Sequence, residues 1–230
     1  MTVADTLGRE LDAIQEEQKA WVSHNFPLRR QYEAVLGVCE EYFEAQEAQE
    51  AMGPAQRNTR TTRSEAWLDA VADCTMYLTD FCTMQGVRSS DALLIGRMLD
   101  CESGRPWARH AGRLTKHFLK LTQGIRGTPE FHRAALLNAA GGIFATLERD
   151  LERMHVDYAA LVRRVWLEVQ KRDWKMYPFT GLPEPHIARF SDGVLYESTE
   201  LRIVEAPGDL CGNTRRLPNG APCPGCRACC

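Results

Sequence analysis

Two stretches of strong helix-forming character each carry a pair of carboxylates one turn apart. Glu41 and Glu44, within Cys39-Glu40-Glu41-Tyr42-Phe43-Glu44, stand at i,i+3, and Asp69 and Asp73, within Asp69-Ala70-Val71-Ala72-Asp73, at i,i+4. On a helix either spacing places both side chains on one face, within reach of a common point. Four inward carboxylates repel one another unless something positive sits between them. A hard divalent cation does this, and Mg²⁺ held by carboxylates commonly handles phosphates. The chain is therefore expected to bring two helices together around a cation and to act on a phosphate bond.

The rest of the chain is read around that pair. Apolar positions recur at helical spacing from about Val3 to Ser23 (Leu7, Leu11, Ile14, Trp21, Val22), and Asn25-Phe26-Pro27 ends the segment. Further helices are predicted over about 28–51, which carries the first carboxylates, and from an N-cap at Ser64 to about Met84, stopped by Gly86. Others follow over about 91–99 (opened by Ser89-Ser90-Asp91), 107–122, 129–154 and 157–175. Beyond Pro178 short β-like runs such as Gly193-Val194-Leu195-Tyr196 replace helical periodicity. The expected organisation is an all-α helical bundle over 1–178, with the metal motifs in residues 1–100, and an irregular tail over 179–230. The formal charge of −3 gives no general attraction to nucleic acid or acidic membranes. No apolar run reaches bilayer length, and Met1 to Glu10 lacks a signal-peptide core. A cytoplasmic protein with no membrane partner is expected.

Several of these residues resemble, in order and spacing, the MazG-like all-α nucleoside triphosphate pyrophosphohydrolases, which include the dimeric dUTPases. The matching pieces are Gln18, Trp21 and Asn25-Phe26-Pro27, then Leu36-Gly37 and Glu40-Glu41-x-x-Glu44, then Asp69 to Asp73 with Tyr77-Leu78. Lys171-Arg172-Asp173-Trp174 with Pro178 is similar to the end of longer, phage-type members. The resemblance implies hydrolysis of a nucleoside triphosphate, a dNTP in the reading adopted here, at the α-phosphorus to a monophosphate and pyrophosphate. It implies Mg²⁺ (or Mn²⁺) on Glu41, Glu44, Asp69 and Asp73. Glu40 becomes an outer carboxylate or water-orienting base beside Glu41, and the protein a homo-oligomer, a dimer by preference. The chain departs from the family pattern at Ala70, where a Glu is usual, so that Asp69 must stand in with a shorter side chain. For the base, the dUTPase branch nominates Gln18, Asn25 and Trp67. Core packing competes for Trp67, and helix capping for Asn25. Cations for the phosphates come from Arg57, Arg60 and Arg63 in a polar loop, or from Lys171 and Arg172.

Two features remain outside that scheme. Residues 36–45 can be laid on Leu137 to Thr146, turning Glu40, Glu41 and Glu44 into Gly141, Gly142 and Ala145; this is either a worn internal duplication or a chance likeness of amphipathic helices. Glycines inside a helix cost about 1 kcal/mol each against alanine, so close helix contact or substrate access is expected there. Of nine cysteines, Cys39, Cys74, Cys82 and Cys101 read as small core residues. Cys211, Cys223, Cys226 and Cys229 (or Cys230) read either as a Zn²⁺ knuckle around Pro224-Gly225 or as a flexible, oxidisable tail. His110 and His117, two turns apart, read as structural. The competing functional reading is a catalytically inactive helical scaffold that binds a nucleotide or a partner.

Overall fold

The computed structural model describes residues 3–51, 65–100, 107–178, 180–182, 188–189 and 195–196. Seven helices lie among them: α1 (Val3–Asn25), α2 (Gln31–Ala51), α3 (Glu65–Gln85), α4 (Ser89–Asp100), α5 (Trp107–Gln123), α6 (Pro129–Arg153) and α7 (Tyr158–Val169). The chain forms two compact units, Met1–Leu182 and Pro183–Cys230. In the second, β1 (Ala188–Arg189) and β2 (Leu195–Tyr196) pair antiparallel, with Ala188 opposite Tyr196. The cysteines at 211–230, the arginines at 57, 60 and 63, the Ser64 cap and Cys101 fall outside the described residues. Among the described residues no helix is long and apolar enough to cross a membrane.

The first unit is all-α, and its periodic apolar positions make the core. Leu7, Leu11 and Ile14 of α1 are buried at 5 % exposure or less, together with Val71, Leu78 and Phe81 of α3 and Ile143, Leu147 and Leu151 of α6. α2 packs on α3, α6 on α4 and α5, and α1 bridges α3, α4 and α7. Polar groups set the joints. The first N–H groups of α4 have no partners of their own, and α1 supplies them. Ser89 N donates to Gln15 Oε1 at 2.8 Å and Ser90 N to Asp12 Oδ1 at 2.9 Å. Thr128 caps α6, whose first residue is Pro129, and Asp157 caps α7. Cys74 and Cys82 are buried as expected, whereas Cys39 is half-buried with its thiol 3.2 Å from Thr115 Oγ1.

The structure corrects one boundary. The helix predicted to reach residue 175 stops at Val169. Tertiary bonds pull the following segment away from helical geometry: Trp174 N donates to Asn25 Oδ1 at 2.6 Å, and Trp21 Nε1 to the Arg172 carbonyl at 2.9 Å. Asp173 Oδ1 then accepts from Met176 N at 2.8 Å and closes a local turn. The end of α1 and the segment 171–174 are thereby fastened together.

Candidate functional site

α2 and α3 run antiparallel, which dictates who meets whom. Arg29, just ahead of α2, pairs with Asp80; Gly37 lies under the Tyr77 ring; Glu41 comes beside Asp73. Gly37 is required where it stands, because a Cβ there would overlap the Tyr77 ring carbons. Along this seam opens a cleft of about 520 Å³. Glu40, Glu41 and Asp73 line one part of it, Arg29 and Asp80 another, with Trp21, Phe26 and Trp174 beside them.

The carboxylates predicted to converge do share one electrostatic neighbourhood. Glu41 is 7 % exposed, and its Oε2 has no hydrogen-bond partner. Burial, and then the charges of Asp73, Glu44, Glu40 and Asp69, push its carboxyl up to about 8. Burial and Asp69 raise Asp73 to about 6, while Arg172 opposes the shift. The Tyr77 hydroxyl, buried beside the same carboxylates, rises to about 12. Such a cleft is unfavourable by itself, since a buried charge without a partner is expensive.

Does this donor set suit Mg²⁺? Among the described residues no three His, Cys, Asp or Glu side chains stand close enough together to enclose an ion. The donors are nonetheless all hard carboxylate oxygens, and Glu41 Oε2 is buried among them without a partner. Mg²⁺ keeps several waters and takes one or two carboxylates plus substrate phosphates, so it does not need a closed protein cage. On donor chemistry the set fits.

The remaining predicted residues divide. Gln18 lines the cleft, but its amide is tied to α3: Nε2 donates to the Met76 carbonyl at 3.0 Å and Oε1 accepts from Thr79 Oγ1 at 2.7 Å. Asn25 joins α1 to the 171–174 segment, its Nδ2 donating to the Trp21 carbonyl at 3.0 Å. Trp67, 4 % exposed, belongs to the core. Arg172 lines the cleft near Asp73, whereas Lys171 is exposed and pairs with Glu168 at 2.7 Å. Glu44 and Asp69 are exposed and lie beside the cleft rather than in its wall. Ala70 is in the core at 3 % exposure.

Sequence reasoning missed the Arg29–Asp80 pair. One signal was present: Asp80 follows Asp73 by seven residues, two turns along the same α3 face. His117, read as structural, hydrogen-bonds His132 at 3.0 Å between their Nδ1 atoms, away from the cleft residues. No protein-family model, no curated protein and no solved structure matches this chain.

Proposed function

We propose that this chain is a divalent-cation-dependent nucleoside triphosphate pyrophosphohydrolase of the MazG-like type, cutting at the α-phosphorus. One observation carries the reading: Glu41 Oε2 is buried without a partner in the wall of a cleft that it shares with Glu40 and Asp73. A core designed only for stability would place an apolar side chain there.

In this reading Glu41 and Asp73 hold the cation from opposite helices, with Glu44 and Asp69 at its margin. Mg²⁺, when bound, supplies charge neutralisation for the triphosphate and a water of lowered pKa. Glu40, exposed at the cleft wall, takes the proton from the attacking water and hands it to solvent. Arg172, already close enough to oppose the rise of the Asp73 carboxyl, faces the phosphate charge as the pyrophosphate departs. The test is a panel of NTPs and dNTPs with Mg²⁺ and with EDTA, reading pyrophosphate separately from phosphate. Pyrophosphate with Mg²⁺ alone is expected; orthophosphate as the sole first product would defeat the α-phosphorus assignment.

A second reading has its own support. The lack of a closed ligand set among the described residues is what a nucleotide-binding scaffold without turnover would also show. It predicts nucleotide binding with no pyrophosphate release in the same assay.

A further inference from the structure

At the Arg29–Asp80 end the cleft holds an ion pair that packing does not require. Asp80 is 8 % exposed, and its Oδ1 accepts from Arg29 Nη1. Among the described residues Arg29 is its sole hydrogen-bond donor. A buried pair of this kind gives little net stability over an apolar pair of the same volume, because both ions are stripped of water. Its presence in a cleft wall, rather than in the closed core, points to recognition. Asp80 stands two turns from Asp73 on α3, about 10.5 Å along the axis. With phosphates at Asp73, as the proposed hydrolase requires, that separation reaches past the sugar to the base.

Aromatic surface lines the same cleft, and Phe26 adjoins this end, its carbonyl accepting from Arg29 N at 3.1 Å. Phe26 is 41 % exposed and meets Trp21 edge to face at 5.7 Å. Trp174 lines the wall nearer Arg172, whose guanidinium stands 5.8 Å from its ring centre. A planar, π-faced ligand would find stacking partners here.

From this geometry we infer that the Arg29–Asp80 pair reads the base edge and selects cytosine. A carboxylate only accepts hydrogen bonds, and a guanidinium only donates them, through a planar fork of five N–H groups. With Oδ1 engaged by Arg29, Asp80 offers Oδ2 for one donor, while the remaining Arg29 N–H groups can serve two adjacent acceptors. Cytosine presents that sequence: the N4 amino donor, then the N3 and O2 acceptors side by side. Uracil and thymine put an N–H between two carbonyls, so the fork meets a donor. Guanine reverses the order, with one acceptor and two donors, and adenine has only one acceptor on that edge. The selection rests on the hydrolase reading for the position of the phosphates but uses none of the metal-site residues.

The experiment pairs two readouts on the full chain. Calorimetric binding of dCMP, dUMP, dGMP and dAMP with EDTA present measures the base term alone. Pyrophosphate release from the matching triphosphates with Mg²⁺ measures turnover. Cytosine nucleotides are expected to bind at least about tenfold tighter than the others and to have the highest kcat/KM. Asp80→Asn should shrink the preference for dCMP over dUMP to about threefold with dCMP still ahead, since an amide can donate to O4 or accept from N4 while the Arg29 fork still meets the N3–H of uracil. Arg29→Lys keeps the opposite charge beside Asp80 but loses the fork, and is expected to weaken dCMP selectively while the thermal transition stays in place. Equal binding of dCMP and dUMP, or a purine preference, overturns the base assignment whatever the turnover. Cytosine-selective binding with no pyrophosphate release sustains the base assignment and defeats the hydrolase reading. No binding and no turnover defeats both.

Discussion

The α2–α3 face and the α4–α6 face solve the same packing problem in opposite ways. In the second, Gly96 and Gly141 bring two backbones into contact: a Cβ on Gly96 would overlap the Gly141 carbonyl, and one on Gly141 would overlap the Ala92 carbonyl and stand 2.9 Å from Gly96 N. Arg97 and Glu148 pair across those two helices, with an Nε–Oε2 bond of 2.7 Å. In the first, Gly37 admits the Tyr77 ring, and one turn further Glu41 is left buried among like charges. One face is closed backbone on backbone; the other keeps a charged cleft against its own stability. The contrast bears on the suspected duplication. Among the described helices α2 packs chiefly on the next one and α6 on the two before it, so the likeness of their sequences does not extend to the order of these partners.

The sharpest way to break the comparison is to remove the buried carboxyl that makes the first face expensive. Glu41→Gln is expected to lower pyrophosphate release on the order of 10³-fold, about 4 kcal/mol of transition-state stabilisation. Its thermal transition should hold or rise, because glutamine is neutral in the cleft without having to take up a proton. Full turnover in this variant would show that the cleft carboxylates do no chemistry. The mirror experiment acts on the other face. Gly141→Ala would stabilise an open helix by about 1 kcal/mol. Here it is expected to cost about 2–3 kcal/mol in chemical denaturation, since the obstructing atoms are backbone and cannot turn aside. The protein that remains folded should keep its activity. A stabilised Gly141→Ala would mean that the two helices do not meet as described.

The third test is the pH dependence of the cation-free protein. Glu41 keeps its proton in the folded state to about 8, against an ordinary value of 4.5, and Asp73 to about 6 against 3.8. Folded-state values above the unfolded ones mean that the folded chain binds more protons in between. Stability is therefore full below about pH 4 and declines as pH rises through 6 and on to 8. The loss should be on the order of 2 kcal/mol, less than the full shifts imply because the cleft opens to water. Melting temperatures in EDTA from pH 5 to 8 would show the decline, and Glu41→Gln should flatten most of it. A transition that rises over this range would contradict the burial of Glu41.

How much of this could be read beforehand depended on the range of the interactions. Helix positions were legible because α1 and α5 carry 3.6-residue periodicity and end before Pro27 and Gly124, and because α6 opens at Thr128-Pro129, all local signals. The last helix was overextended because Lys171 to Lys175 has no local breaker; the stop comes from Asn25 and Trp21, about 150 residues away. Glu40, Glu41 and Asp73 were legible through spacing and resemblance, and the structure places all three in the cleft wall. Arg29 was not, since it lies just ahead of α2 and meets Asp80 across 51 residues of chain. Trp67 sat between two readings that sequence could not separate, because an indole serves stacking and core alike. Burial decides for the core.

The smallest effect bears on the α3 half of the proposed site. Ala70 is buried in the core, and Asp69 is the neighbouring carboxylate. Asp69 is exposed and outside the cleft wall, yet among charges it raises Asp73 most. A residue that acts on the cleft only through its charge should be worth little once a cation is bound. Asp69→Asn is therefore expected to raise the Mg²⁺ concentration for half-maximal turnover by about threefold to tenfold, with kcat nearly unchanged. A loss as large as that of Glu41→Gln would make Asp69 a full ligand and move the centre of the site toward the start of α3. No change at all would leave Asp73 as the whole contribution of α3 to the charged face.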